Sequence, residues 1–78
     1  MANSEDIALV VDTRGLNCPL PVLRARKAIK KLPAGSLVRI DCTDPLVEVD
    51  IPHMAHSDGH QLLSKGREDG IYWFVLKV

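Results

Sequence analysis

Cysteine is scarce in this chain of 78 residues, which contains only Cys18 and Cys42. A secreted domain of this size would usually carry more cysteines, paired in a framework of disulfides. The amino-terminal stretch is acidic and lacks the apolar core of a signal peptide. No run of about 18 apolar residues, as a membrane-spanning helix requires, occurs anywhere in the sequence. We therefore expect a cytoplasmic protein whose two thiols are normally reduced.

The chain is also too short for a deep internal active site, because a domain of this size buries only about 60–65% of its unfolded surface. Its composition, 46% hydrophobic and 26% charged, is typical of a globular protein. We predict one domain over residues 1–78 and expect any chemistry at the surface, at the end of a helix or strand. No Ser-His-Asp set, phosphate-binding glycine loop or paired carboxylate site can be identified.

Acidic residues are missing between Asp12 and Asp41, where seven of the ten cations lie. This segregation predicts a basic surface centred on the first helix. Two interpretations stay open: a solvated helix face, which is the common role of charge runs, and a docking surface for an acidic partner or a nucleic acid. The seven cations are Arg14, Arg24, Arg26, Lys27, Lys30, Lys31 and Arg39.

The hydrophobic pattern predicts the order β-α-β-α-β-β. Residues 7–11 indicate a strand, 19–32 an amphipathic helix and 37–42 a half-buried strand. Residues 61–67 and 71–78 indicate a hairpin, with a polar edge strand followed by an apolar interior strand. Because crossovers between parallel strands share one hand, both helices should cover one face of a four-stranded mixed sheet. The predicted fold class is an α/β two-layer sandwich.

The second helix is harder to place. Asp44 and Pro45 are typical of a helix start, but Pro52 follows soon after, and a proline inside a helix costs about 3 kcal/mol. We therefore predict a short turn at 45–49 and then a separate helix at 51–58, capped by Asp50. Its core-facing residues would be Ile51, Met54 and Ala55.

The segment RGLNCPLP, residues 14–21, places Cys18 at the mouth of the first helix. Free backbone N–H groups and the helix dipole favour a thiolate there, and such cysteines can have pKa values of roughly 3.5–7.5. Arg14 would add positive charge, Gly15 would allow a positive φ, and Pro19 and Pro21 would fix the chain direction. We predict an accessible, activated thiol. The alternative is a buried structural cysteine, the commoner role of a lone cysteine.

The second cysteine and the three histidines are not expected to take part in chemistry. Cys42 alternates with core positions of its strand, so it is expected to be a buried filler, with a resolving thiol as the alternative. His53 and His56 are predicted on the solvent face of the second helix. A metal site on them and His60 is the less favoured interpretation, so no metal and no cofactor are expected.

Leu20 falls on the polar side of the first helix, two positions from Cys18. We predict that it anchors a protein partner, while the neighbouring cations steer the encounter with acidic surfaces. The alternative is that Leu20 packs near Leu16 within its own fold. The predicted docking residues are Leu20, Leu23, Arg24, Lys27 and Lys31.

With these motifs in view, the chain resembles the TusA/SirA family of small sulfur carriers. The family signature Asp-x-x-Gly-x-x-Cys-Pro-x-Pro and the L-x-x-x-K pattern that follows it are both present. The later segment of residues 43–63 is similar as well. The matching positions are Asp12, Gly15, Cys18, Pro19, Pro21, Leu23 and Lys27, followed by Asp44-Pro45, Asp50-Ile51-Pro52 and Gly59-His60.

The resemblance implies a two-layer α/β sandwich that works as a persulfide carrier rather than as a stand-alone turnover enzyme. Cys18 would accept sulfane sulfur from a cysteine desulfurase or a rhodanese and pass it to a downstream protein. In the family the sulfur is used for tRNA thiolation, molybdenum cofactor maturation and sulfur oxidation. Neither a membrane nor direct contact with a nucleic acid is expected. The alternative is an RNA-binding or regulatory module that uses the basic first helix. That helix lacks interleaved aromatics, since all three lie at 72–74.

Overall fold

A computed structural model describes residues 7–78, and its helices and strands follow the predicted order β-α-β-α-β-β. Each helix begins a few residues after the end of a strand, so that loops and helix starts lie at one edge of the sheet. The elements are β1 Ile7–Thr13, α1 Leu20–Ile29, β2 Leu37–Cys42, α2 Val47–Ser57, β3 Gln61–Glu68 and β4 Ile71–Lys77.

The four strands form one mixed sheet in the order β1-β2-β4-β3. β1 and β2 are parallel, whereas β4 is antiparallel to both of its neighbours, β2 and β3. Thr13 is the register partner of Cys42, so β1 and β2 end side by side. Both helices therefore start from the same edge of the sheet, and this edge holds the candidate site.

The core lies between the two helices and one face of the sheet. Alternate residues of β2 and β4, such as Ile40 and Phe74, point into it and meet Ala25 of α1 and Ile51 of α2. This arrangement confirms the two-layer α/β sandwich, with the apolar β4 inside the sheet and the polar β3 at its edge. On the opposite face of the sheet, the Arg39 guanidinium lies over the Trp73 ring, 5.3 Å from its centroid.

Two predicted boundaries were wrong by a few residues. β1 continues beyond 7–11 to Thr13, because that side chain is buried and its hydroxyl donates to the Asp41 carbonyl, with 2.7 Å between the oxygens. The helix predicted at 19–32 ends at Ile29. Pro33 disfavours the α conformation of the residue before it, Leu32. The chain therefore leaves the helix in tighter turns, in which Leu32 N–H donates to the Ile29 carbonyl.

The predicted turn at 45–49 and the separate helix at 51–58 capped by Asp50 were also wrong. α2 is a single helix that begins at Val47 and passes through Pro52. Its inward positions, Val47, Ile51, Met54 and Ala55, are all buried and recur at helical spacing. The free energy gained by burying these four side chains outweighs the free energy lost with the one backbone hydrogen bond that Pro52 removes. The carbonyl that loses this bond belongs to Glu48, an exposed residue, where water can replace it.

Candidate functional site

Cys18 is exposed and lies in the loop between β1 and α1. It directly precedes Pro19, the N-cap of the helix, so the predicted position beside the cap is confirmed. The Cys18–Pro19 peptide bond is cis. Upstream, Gly15 has φ +84°, a left-handed conformation that glycine adopts without strain and that fits the turn predicted there.

The loop that carries Cys18 is tied to the turn between β2 and α2. The backbone N–H of Cys18 donates to Asp44 Oδ2 at 2.7 Å, and Gly15 N–H donates to Thr43 Oγ1 at 2.8 Å. Asp44 Oδ1 accepts a second bond, from Leu46 N–H at 3.0 Å. These bonds hold the pKa of the Asp44 carboxyl below its ordinary value, with the bond from Cys18 contributing most. Asp44 thus holds both loops in place instead of capping a helix.

The Cys18 thiol opens into a groove of about 320 Å³ between the two helices. One wall is formed by the start of α1 and the other by α2, which contributes the Asp50 carboxylate and the exposed ring of His53. Sequence reasoning had assigned Asp50 to a helix cap and so missed it as a site residue. The signal that could have found it is helical spacing, because Asp50 lies one turn before His53 and Met54, the other residues of α2 that line the groove. The lining residues are Cys18, Pro19, Val22, Arg26, Asp50, His53 and Met54.

The charge around the thiol is negative, contrary to the prediction of an activated thiolate. The Asp50 carboxylate raises the pKa of Cys18, and partial desolvation and the charge of Asp44 act in the same direction. The expected donors at the start of α1 are largely absent. Pro19 and Pro21 have no N–H, and the N–H of Leu20 donates to the Asn17 carbonyl at 2.8 Å. The two prolines therefore shape the loop but supply no stabilisation to an anion.

Arg14 does not serve the thiol in this arrangement either. Its guanidinium binds the Asp12 carboxylate through two hydrogen bonds, 2.8 Å from Nε and 3.0 Å from Nη2. This pair lowers the pKa of Asp12 to about 2. The predicted support of the Cys18 thiolate by Arg14 has no counterpart in this arrangement, in which Asp12, two positions earlier, binds the guanidinium.

The predicted docking residues lie on the surface of α1 near Cys18. Leu20 and Leu23 are 49% and 52% exposed, a large fraction for leucine. Arg24 and Lys27 are exposed on the helix, while Lys31 is exposed just after its end. Within residues 7–78, none of these three cations forms an ion pair with a carboxylate. The sequence analysis did not single out Leu46 and Val49 of the α2 region, which are apolar and 58% and 70% exposed.

Cys42 is completely buried, as predicted for a core filler. Its Sγ lies 3.0 Å from the Thr13 hydroxyl. Burial raises the pKa of the Cys42 thiol, while the contact with Thr13 acts in the opposite direction. A buried, neutral thiol is a poor nucleophile, so Cys42 is not positioned to attack a persulfide on Cys18.

The predicted position of His53 and His56 on the outer side of α2 is confirmed, since both are exposed. In the described part of the chain, no group of three or more His, Cys, Asp or Glu side chains could hold a metal ion. Neither helix between residues 7 and 78 has the length and apolar character needed to cross a membrane.

Comparisons with known proteins agree on one family. Residues 9–78 match the family described as "Sulfurtransferase TusA". A "Sulfur carrier protein TusA" of Pseudomonas putida is 39% identical over 71 residues, which cover 88% of this chain and 89% of that protein. The protein of the same name in Allochromatium vinosum is 36% identical over 67 residues, 86% and 88% of the two chains. The crystal structure of a SirA-like protein from Desulfitobacterium hafniense superposes with a TM-score of 0.79 at 26% identity, covering 90% of this chain and 96% of that one.

Proposed function

Since the chain belongs to the TusA sulfurtransferase family, we propose that it carries sulfane sulfur as a persulfide on Cys18. The names of its relatives, sulfur carrier proteins, support a sulfur carrier role in general. The observation that supports Cys18 as the carrying residue is its position. It is exposed, on a loop tied by hydrogen bonds to the next turn, and it opens into a groove that a partner can enter. Cys42, the other thiol, is buried.

The proposed reaction is two successive exchanges at sulfur. The Cys18 thiolate attacks the terminal sulfur of a donor persulfide, a new S–S bond forms on Sγ, and the donor S–S bond breaks. The donor leaves as a thiolate, which takes up the proton that Cys18 lost. In the second exchange an acceptor thiolate attacks the terminal sulfur of the Cys18 persulfide and restores the free thiol. Sulfur is transferred without net oxidation, so no cofactor is required.

The finer identity of the partners is part of the proposal. A cysteine desulfurase or a rhodanese would present the donor persulfide, and a downstream protein would take the sulfur toward tRNA thiolation, molybdenum cofactor maturation or sulfur oxidation. The chain would act as a carrier between enzymes. Leu20, Leu23, Arg24, Lys27 and Lys31 would form the docking surface. We place the relay in the cytoplasm, because Cys18 must stay a free thiol to accept sulfur.

Intact-mass analysis after incubation with a cysteine desulfurase and cysteine tests the proposal. One added sulfur is expected on the wild-type chain and on Cys42→Ala, and none on Cys18→Ser. The added mass should disappear on treatment with a reductant. Sulfur on Cys18→Ser would refute the assignment. Absence of loading together with tight RNA binding would favour the RNA-binding or regulatory module instead.

A further inference from the structure

The groove holds a carboxylate close to Cys18, although the proposed chemistry needs that thiol in its anionic form. The carboxylates of Asp50, from α2, and Asp44, from the preceding turn, are the acidic groups that disfavour ionisation of Cys18. A thiolate formed there in the free protein would be repelled by both. The free carrier therefore keeps a mostly neutral thiol, which reacts slowly.

The arginine that lines the groove, Arg26, and the arginine of the preceding loop, Arg14, are each bound to another carboxylate. Arg26 lines the groove, but its guanidinium binds Asp58, with 2.8 Å between Nε and Oδ2. Arg14 binds Asp12 at the same distance. His53 is the remaining titratable group of the groove. The groove thus has a negative charge that its own cations leave uncompensated.

We infer that the sulfur donor activates Cys18 by placing a cationic side chain, a lysine or an arginine, in this groove against Asp50. This inference rests on the proposed function and identifies the partner chemistry that it requires. A cation between the Asp50 carboxylate and Sγ would offset the repulsion and favour the thiolate at the moment of contact. Sulfur transfer would then be selective for proteins that carry such a group beside their persulfide.

Exposed apolar side chains on α1 and at the start of α2, the two elements beside the groove, would strengthen this effect. Leu20 comes from the α1 side, while Leu46 and Val49 come from the α2 side. Leu46 is one helical turn from Asp50, and the Asp44 carboxylate that holds its N–H also holds that of Cys18. A partner that covers these residues excludes water from the groove, and charges interact more strongly where water is excluded.

The groove and the basic side of α1 call for opposite charges on a partner. Lys27 and Lys31 would face partner carboxylates, whereas Asp50 would face a partner cation. The matching partner is therefore a protein whose persulfide cleft contains a lysine or an arginine and whose neighbouring surface is acidic. Charge complementarity of this kind excludes wrong partners more than it raises affinity.

Charged disulfides can probe the groove without any partner protein. Cys18 should exchange with cystamine, a dication, and with 3,3′-dithiodipropionate, a dianion, to form mixed disulfides that intact mass distinguishes. In each exchange Sγ forms the new S–S bond and the probe releases one thiolate, so no other reactant is needed. Each rate is divided by the rate of the same probe with 2-mercaptoethanol, which corrects for intrinsic reactivity. The normalised rates should favour cystamine by about tenfold at low salt.

Two variants of α2 distinguish the effect of the carboxylate in the groove from the effect of the net charge of the protein. Asp50→Asn should remove most of the preference for cystamine. Glu48→Gln is the matched control, because it removes the same charge from an exposed position of the same helix that lies beside β3 residues instead of the groove. It should leave the preference unchanged. High salt should weaken the preference in the wild-type chain, which tests the charge effect without any substitution.

Equal normalised rates for the two probes, faster exchange with the dianion, or a preference that Asp50→Asn leaves intact would each overturn the inference. Loss of the probe preference with normal sulfur loading refutes the inference and leaves the proposed function standing. A clear preference for cystamine in a chain that a desulfurase cannot load refutes the proposed function and leaves the cation selectivity of the groove established.

Discussion

The carboxylate of Asp44 accepts a hydrogen bond of 2.7 Å from the backbone N–H of Cys18, 26 positions earlier in the sequence. The same carboxylate accepts the N–H of Leu46. One side chain therefore fixes the loop before α1 to the turn before α2, at the edge where β1 and β2 end together. The position of the candidate nucleophile depends on both halves of the chain. A substitution in the turn before α2 should therefore change the position of the Cys18 loop.

The Asp44 bond should be visible in an acid titration. Hydrogen bonds from Cys18 and Leu46 hold the pKa of Asp44 below its ordinary value of 3.8, so the carboxylate form is favoured in the folded protein. Its contribution to stability is therefore present above that value and is lost as the pH falls through the lower, folded-state pKa. The amide proton of Cys18, followed by NMR, should shift with a midpoint below 3.8. A midpoint at or above 3.8 would contradict the bond, and Asp44→Ala should abolish this step.

The Cys18 thiol should ionise at higher pH than a free cysteine. Because Asp50, desolvation and Asp44 all raise its pKa, the thiolate fraction at neutral pH is small and alkylation there should be slow. The rate of alkylation by iodoacetamide against pH should have its midpoint above that of free cysteine. Asp50→Asn should lower that midpoint, whereas Arg14→Gln should leave it unchanged because Arg14 is bound to Asp12. A wild-type midpoint below that of free cysteine would show that the helix end dominates after all.

The order of elements, the sheet and the inward residues could be predicted because each depends on local periodicity and turn chemistry. Val38, Ile40 and Cys42 alternate along one strand, and Asp69-Gly70 ends another. The prediction at Pro52 was wrong because a local rule gives only the free-energy cost of one lost hydrogen bond. It does not include the gain from burying Val47, Ile51, Met54 and Ala55, which lie on both sides of the proline. Tertiary packing decided that element.

The position of Cys18 could also be predicted, but its chemistry could not. A helix mouth is a local feature, whereas Asp44 and Asp50 come close to Cys18 only after β1 and β2 pair and bring α2 beside α1. The pairing of Arg14 with Asp12 has the same origin, because it depends on side-chain geometry at the end of β1. Charges brought together by the fold reversed the direction expected for the pKa of Cys18.

Cys42 should matter for stability and not for sulfur loading. Its side chain is completely buried beside Thr13, so Cys42→Ala should lower the free energy of unfolding by about 1 kcal/mol through lost burial and a small cavity. Urea denaturation measures this loss, and intact mass after desulfurase treatment measures loading. Cys42→Ser, which nearly preserves the volume, is the companion variant and should also load. A folded Cys42→Ala chain that accepts no sulfur would contradict a purely structural role.

Leu20 should contribute to sulfur transfer more than to the fold, since about half of its side chain is exposed. Leu20→Ala is expected to slow loading by a desulfurase severalfold, as truncation of an interface anchor commonly does. Its melting temperature should stay close to that of the wild type. Leu63→Ala is the matched control, because Leu63 is exposed to a similar extent, 44%, on the edge strand β3. A lower melting temperature with an unchanged loading rate would instead support packing of Leu20 near Leu16.

The cations of α1 should act on the rate of encounter with a partner. Lys27 and Lys31 are exposed and, within residues 7–78, form no ion pair, so their charge is available to an acidic surface. Replacing both by glutamate should reduce the association rate with a cognate donor or acceptor about tenfold at low salt, with little change in the dissociation rate. The difference should shrink at 0.15 M salt and above, where charges are screened over about 8 Å. Lys65→Glu, an exposed reversal on β3, is the control and should have a smaller effect. Association that is equally fast in the double reversal and in the wild type would show that partners dock away from α1.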